Sequence, residues 1–394
     1  MSLTDKSQDK PFVPLGGYEW PKLPTEDRLR LAINRFKNEV FRSNSGDEPA
    51  VAADRLEGIP LERLNRIAAP PAYGKLLDEL DLTMNAWIAA GRAGSKVQLI
   101  VMPPCDDIGI VKTWAESQGI TCLNAPTRDE VLGETGPAMP DLGGEGILVI
   151  PNLERWFLRH RKGLRTVRLL LAAISATKRR CVIGCNSWAW TYLSATIDAD
   201  LQLPGGVTFQ AFDKERLHHW FSGLAHRPNS EVKAFRISES GKNVFATDED
   251  GAIKSDFFQK LAARSLGIPW VAWSLWRHSL RETREADTTE TEAGAKVEDD
   301  DDDMIWIAEL EDFVMPTAQR QNALLIFHSL LIHGALSVEH LSLTVPFGSQ
   351  INLVETLMRA GFVKLENGLL SCLPAAYPTI RRELANAGYS MDRL

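Results

Sequence analysis

The residues that could do chemistry lie first in a strand–turn–helix segment. An apolar run, Val97–Met102, leads into the turn PPCDDIG and then into a helix that begins IVKTWAES. Such a turn binds phosphate when glycines let backbone N–H groups wrap the anion, a lysine reaches its oxygens and a hydroxyl holds magnesium. Lys112 and Thr113 provide a lysine and a hydroxyl, but Asp106 and Asp107 stand at the mouth of the turn. We expect these carboxylates to repel phosphate and to cap the N–H groups that it needs.

The elements that position this turn alternate between short apolar runs and helical patterns. The runs Val97–Met102, Ile147–Ile150 and Cys181–Gly184 are almost entirely apolar, which is typical of strands buried on both faces of a parallel sheet. Shorter runs at Ile120–Leu123 and Val207–Phe209 predict two more strands. Helical patterns separate the runs. The fold class predicted from this alternation is α/β, with a doubly wound layer.

A different order of elements follows in residues 316–394. Three helical patterns precede two apolar runs that flank Asn367 and Gly368, a pair typical of a hairpin turn. A last helical pattern covers Ala375–Ala387. Three helices followed by a hairpin is the order of a winged helix.

Taken together, the order of these elements resembles the AAA+ family, in particular its branch of origin-recognition-like and signal-transduction NTPases with a C-terminal winged helix. The resemblance covers Leu76–Arg281 and Pro316–Leu394. It implies a parallel P-loop NTPase-like sheet flanked by helices, a helical lid and a C-terminal winged-helix domain.

The family's phosphate loop is degenerate in this chain. MPPCDDIG occupies the eight positions of GxxxxGK[ST], so that Met102 and Asp107 replace the glycines and Ile108 replaces the lysine. Lys112 and Thr113 come four residues late, which is about 5–6 Å along a helix. A bound ATP is therefore disfavoured, and no cofactor is expected.

The family's other nucleotide-handling positions are also altered. Asn152 replaces the carboxylate that holds magnesium, and Glu154 either substitutes for it or begins a helix. Asn186 matches a polar sensor position, where it would suit a γ-phosphate or serve as a helix cap. No arginine lies between residues 187 and 215, where the family's arginine finger arises, while Arg277 lies where a lid arginine would be. If a nucleotide binds, the resemblance assigns its contacts to Lys112, Thr113, Asn152, Glu154, Asn186 and Arg277. We predict no catalytic residues and no metal site.

Changes in composition predict five regions. They are an N-terminal arm with helices (1–72), the P-loop NTPase-like α/β core (73–225), a mainly helical lid (226–285), an acidic linker (286–315) and the winged helix (316–394).

Composition limits the cellular location expected for the protein and the kinds of partner it is expected to bind. No apolar stretch approaches the roughly 20 residues of a membrane span, and five cysteines form no disulfide framework, so we expect a cytoplasmic protein without membrane insertion. A net charge of −8 argues against a large nucleic-acid footprint. A basic cluster over Arg155–Arg168 is either a solvated or partner-binding face or a nucleic-acid site.

Three functional hypotheses remain open from the sequence. The first is a non-hydrolysing, ATPase-like scaffold or adaptor that acts through protein partners or as a homo-oligomer. The second is a nucleotide-binding switch with a non-standard phosphate loop. The third is a DNA-binding regulator that uses the winged helix, although residues 316–394 carry a net charge of only about +1.

Overall fold

The structure is a computed structural model that describes residues 11–22, 51, 55–68, 74–91, 94–225, 232, 234–284, 304–310, 312–316, 319–346 and 351–394. The strands are β1 (Val13–Pro14), β2 (Leu56–Gly58), β3 (Val97–Met102), β4 (Ile147–Ile150), β5 (Arg180–Asn186), β6 (Val207–Thr208), β7 (Ala234–Ile237), β8 (Leu280–Thr283), β9 (Met304–Ile307), β10 (Val363–Glu366) and β11 (Leu369–Cys372). The helices are α1 (Leu61–Ile67), α2 (Gly74–Ala89), α3 (Ile110–Ser117), α4 (Arg128–Leu132), α5 (Arg165–Ala176), α6 (Ser187–Ile197), α7 (Ala199–Gln202), α8 (Lys214–Ala225), α9 (Phe257–Arg264), α10 (Pro269–Ser279), α11 (Arg320–His333), α12 (Val338–Thr344), α13 (Ile351–Arg359) and α14 (Tyr377–Asn386).

The chain divides into two compact units. The core unit comprises Gln8–Glu19, Tyr73–Gln210 and Asp312–Leu394, and the second unit comprises Met1–Ser7, Trp20–Ala72 and Ala211–Glu311. Both units are mixed α/β structures in which some strands run parallel. No helix among the described residues is long and apolar enough to cross a membrane.

The core unit is built on a five-stranded sheet with the order β1-β6-β3-β5-β4. Strands β6, β3, β5 and β4 are mutually parallel, and β1 pairs antiparallel with β6 at one edge. The buried residues of β3, β4 and β5 form a continuous apolar layer, which explains why their sequences carry no alternation. Parallel strands place their carboxyl ends at one edge of the sheet, so the turns after β3, β4 and β5 face the same crevice.

The C-terminal elements of the core unit follow the predicted order. Helices α11, α12 and α13 precede the antiparallel hairpin β10–β11, and α14 follows it. Asn367 and Gly368 join the two strands with φ values of 51° and 78°, the left-handed geometry that this turn requires.

The second unit contains a mixed sheet with the order β2-β8-β9-β7 and the helices α1, α8, α9 and α10. Its core is aromatic: Phe221 lies edge-on to Trp276, with ring centroids 4.8 Å apart, and contacts Phe258. Trp270 and Trp276 of α10 are also fully buried in this core.

Several predicted boundaries differ from the structure. Helix α8 belongs to the second unit and not to a core that ends at 225, because Phe221 packs on α9 and α10. The mainly helical lid also contains β7 and β8, and the acidic linker contains β9 at its end. These three strands are short. β8 follows α10 without a break, and β9 follows an acidic run in the sequence. Residues 286–303 of the linker and most of the N-terminal arm lie outside the described residues.

The strand predicted at Ile120–Leu123 is also not formed. Only a single bridge, between Cys122 and Val149, joins this segment to β4. Ile120 is instead held by the end of α3, because its N–H donates to the carbonyl of Ala115 at 2.8 Å.

Close backbone packing at the sheet edge gives a first prediction. A Cβ at Gly184 would lie 2.1 Å from the carbonyl oxygen of Pro151, so Gly184→Ala should lower the free energy of unfolding by at least about 2 kcal/mol. Gly223→Ala is the control, because its Cβ meets nothing within 4 Å on α8 and alanine favours a helix. Urea unfolding of both variants tests this. Equal unfolding midpoints would contradict it.

Candidate functional site

The candidate site is the turn between β3 and α3, and its N–H groups are already occupied. Asp106 Oδ1 accepts the N–H groups of Ile108 at 3.1 Å and Gly109 at 3.0 Å, while Oδ2 accepts that of Ile110 at 2.9 Å. These are the unsatisfied donors at the start of a helix, where the macrodipole also favours an anion. A carboxylate of the chain itself therefore stands where a phosphate would bind.

The charge state of Asp106 depends on two opposed effects. Burial, with a smaller contribution from the Asp107 carboxylate, raises the pKa of its carboxyl group above the ordinary value, and the N–H groups of Ile110, Gly109 and Ile108 offset only part of this rise by stabilising the anion. The three hydrogen bonds match an ionised carboxylate, which has no proton to donate and accepts at both oxygens.

The other aspartate of the turn binds the C-terminal hairpin. Asp107 Oδ2 accepts from Lys364 Nζ at 2.7 Å, and Lys364 also pairs with Glu366 at 3.1 Å. Burial lowers the pKa of Lys364, but its bonds to these two carboxylates outweigh burial and raise it. Strand β10 thus contacts the mouth of the turn from outside.

Asn186 is a helix cap rather than a free sensor. Its backbone lies opposite Met102 in the β3–β5 register, so the two strand ends are adjacent. Its Oδ1 accepts the N–H of Ala189 at 2.7 Å at the start of α6, and its Nδ2 donates to the carbonyl of Ile332 in α11 at 3.1 Å. Both ends of the amide are satisfied within the core unit, and the residue is buried.

Glu154 lies beside Asn186 in a short 3₁₀ helix, Leu153–Trp156. Its Oε2 accepts the backbone N–H of Asn186 at 3.2 Å. Burial raises the pKa of this carboxyl group to about 7, against the lowering effects of its N–H bonds and of Arg128 and Arg155.

Lys112 and Thr113 make contacts on their own helix, whereas Asn152 lies before the 3₁₀ helix. Lys112 is exposed and pairs with Glu116 on its own helix at 3.7 Å. Thr113 donates its hydroxyl to the carbonyl of Gly109 at 3.1 Å. Asn152 precedes the 3₁₀ helix without a capping bond from its side chain.

Arg277 belongs to the second unit. Its guanidinium donates to the carbonyl of Ala68 at 3.2 Å and to Asn65, and it lies over the ring of Trp273. These contacts hold it within that unit, between α1 and α10.

Two contributors to this region were missed by the sequence analysis. Arg128 donates to the carbonyl groups of Glu154, at 2.9 Å, and of Phe157, and so fixes the segment after β4. His333 is buried at the end of α11, where its Nε2 accepts the N–H of Arg159 at 3.1 Å. Burial lowers the pKa of His333 well below its ordinary value. Both contacts join residues distant in sequence, and no local pattern signals them.

No family model and no curated protein matches the chain. Among solved structures it is similar to Cdc6p from Pyrobaculum aerophilum, with 13% identity, 84% of this chain and 99% of that chain covered, and a TM-score of 0.25. It is also similar to the Aeropyrum pernix ORC2 protein in ADPNP–ADP complexes, with 12% identity, the same coverage of both chains and a TM-score of 0.29. Both TM-scores are low, so contacts within this chain carry the functional proposal.

Burial of Glu154 predicts a pH dependence of stability. Its folded pKa of about 7 exceeds the ordinary value of 4.5, so the folded chain binds the proton more tightly and stability is lost as pH rises between those values. Glu154→Gln stays neutral and should abolish this loss, which is at most about 3 kcal/mol.

The measurement is the free energy of unfolding of wild type and variant at about pH 5 and about pH 8. Glu116→Gln is the control, because its carboxyl group is exposed and should leave the wild-type dependence intact. The same pH dependence in wild type and Glu154→Gln would contradict the buried carboxyl.

Proposed function

We propose that this chain is an ATPase-like scaffold that does not hydrolyse ATP and that acts by binding protein partners. One observation carries the proposal: the Asp106 carboxylate holds the N–H groups of Ile108, Gly109 and Ile110. A triphosphate would have to displace this carboxylate, whose negative charge lies where a phosphate would stand. Position 108 is an isoleucine, so no lysine is present there to offset that cost.

The groups that would position magnesium and water support the same conclusion. The side-chain amide of Asn186 is hydrogen-bonded at both ends, to α6 and to α11, and the carboxyl group of Glu154 accepts from a backbone N–H. Rearranging either group would leave buried polar atoms without partners, which costs about 1–3 kcal/mol for each group. The strand ends have the layout of a nucleotide crevice, but their polar groups stabilise the fold.

We further propose that the C-terminal elements are a winged helix docked on the core. A buried polar network supports the docking. Asp392 accepts from Ser187 of α6 at 2.7 Å, from Tyr377 at 3.0 Å and from Arg381 at 2.9 Å. The indole N–H of Trp188 donates to the hydroxyl of Tyr377 at 3.1 Å. A fully paired network of this kind favours one fixed arrangement.

The surface of this winged helix favours a protein partner over DNA. Its hairpin has one cation, Lys364, which is already bound to Asp107 and Glu366. Arg359 on α13 pairs with Glu355 at 3.6 Å. The hairpin instead exposes two leucines, Leu365 and Leu369, at 48% and 39%. Exposed apolar side chains suit a protein interface, whereas a DNA-binding wing needs free cations.

The proposal predicts that the chain releases no phosphate from ATP·Mg²⁺. Ile108→Lys should not restore hydrolysis, because Asp106 would still accept the N–H groups of the turn and position 152 would still lack a carboxylate. A continuous phosphate-release assay on the full chain tests both proteins, with buffer and heat-unfolded protein as blanks. If the wild type releases phosphate and Asp106→Ala changes the rate of that release, the proposal is overturned.

Nucleotide binding is tested separately by hydrogen–deuterium exchange, which assigns protection to a segment. The peptide covering residues 103–113 should exchange at the same rate with and without millimolar ATP·Mg²⁺, since its N–H groups are already bonded internally. Protection of this peptide by ATP would contradict an occupied loop, whatever happens elsewhere in the chain.

A further inference from the structure

A second candidate site lies on the core unit, apart from the turn after β3. It is a cavity of about 780 Å³, within the usual size range of ligand pockets. Its walls come from the loop after the 3₁₀ helix, the first turn of α5, the turn after α4 and Tyr192 of α6. We call it the basic cavity. Five cationic residues line it: Arg159, Arg161, Lys162, Arg165 and Arg168, against the single acidic residue Glu134.

The cations of the basic cavity are of two kinds. Arg159 and Arg165 are held in place, because Arg159 contacts His328 Nδ1 at 2.9 Å and the carbonyl of Thr344 at 2.8 Å, and Arg165 donates to the carbonyl of Glu134 at 3.0 Å. The other three, Arg161, Lys162 and Arg168, are exposed, and their side chains have no hydrogen bond or ion pair within the described part of the chain. Their charges repel one another, and Glu134 is the single carboxylate of the lining that offsets them.

The loop that carries these cations is shaped by its own backbone. The N–H of Leu158 donates to the carbonyl of Gly163 at 3.2 Å, and the N–H of Gly163 donates to the carbonyl of His160 at 2.9 Å. A Cβ at Gly163 would lie 2.2 Å from the Leu158 carbonyl oxygen, so only glycine fits this turn. The backbone that carries Arg161 and Lys162 is therefore held in one conformation, which lowers the entropy cost of ordering the loop on binding.

Two further features favour phosphate as the ligand. Leu164 and Arg165, at the start of α5, line the cavity, and no side chain caps the N-terminus of this helix. Tyr192 forms a wall, with its ring stacked on Phe157 at a centroid distance of 5.7 Å. Four of the five cations are arginines, whose planar donors match phosphate oxygens, and an aromatic wall suits a nucleobase.

We propose that the basic cavity binds consecutive phosphate groups, as in a nucleic-acid backbone or a free polyphosphate chain. The site is separate from the scaffold role proposed above, because it uses none of the residues of the β3–α3 turn. It also accounts for a basic surface on a chain whose net charge is −8.

The test is fluorescence anisotropy of the full chain with a labelled random single strand of DNA at low salt. Contact with three phosphates predicts a slope of about −2 for log affinity against log salt. Arg161→Glu combined with Lys162→Glu should weaken binding by more than about tenfold and flatten this slope. Arg168→Glu is a second, independent variant, and circular dichroism checks that each variant is folded.

The matched control is Lys178→Glu combined with Arg393→Glu, which makes the same charge change at two exposed cations outside the cavity. It should keep nearly wild-type affinity. Unlabelled duplex DNA, RNA, inorganic polyphosphate and polyglutamate then compete for the site.

Competition by nucleic acid alone identifies a nucleic-acid backbone, and competition by polyphosphate as well identifies a general phosphate site; both support the proposal. Three outcomes overturn it: no binding at low salt, an equal loss in the control, or displacement by polyglutamate at least as effective as by the phosphate polymers. None of these outcomes depends on whether ATP reaches the β3–α3 turn.

Discussion

The structure around the candidate site depends on the carboxylate of Asp106 and the three N–H groups that it accepts. The first turn of any helix leaves N–H groups without partners, and the positive end of the helix dipole attracts an anion to them. In a phosphate-binding loop that anion is the ligand. Here a side chain three residues upstream of Gly109 supplies it, so the start of α3 is satisfied without a ligand.

The neighbouring strand ends are also bonded within the chain. Asn186 caps α6 and holds the end of α11, and Glu154 is buried on a backbone N–H. Asp107 faces outward, where it binds Lys364 of the hairpin. Polar groups at the positions where the AAA+ resemblance expects nucleotide contacts thus join the C-terminal elements to the sheet. These residues could not also bind a nucleotide without breaking the buried hydrogen bonds that join the C-terminal elements to the sheet.

Much of the core unit was predictable because its signals are local. The bounds of β3, β4 and α3 were predicted to the residue, since each is a continuous apolar run or a clear helical pattern next to a turn. The capping role of Asp106 was also foreseen, because a carboxylate just before a helix has few other uses. The hairpin at Asn367 and Gly368 follows from turn chemistry alone.

What failed or was missed depends on long-range pairing. β8 and β9 pair across a segment rich in acidic residues, and the polar sequence of β8, LRET, gives no strand signal. The contact between Asp107 and Lys364 joins residues more than 250 positions apart. Arg128 and His333 likewise make contacts between segments that are distant in sequence. The basic cluster was visible in sequence, but only the fold shows that its cations surround one cavity with Tyr192.

The most direct measurement is a crystal structure of the full chain grown with saturating ATP·Mg²⁺. The account predicts that Asp106 still accepts the N–H groups of Ile108, Gly109 and Ile110, and that no density for a triphosphate lies within the turn at residues 103–109. A triphosphate wrapped by that turn, with the Asp106 side chain displaced, would contradict it.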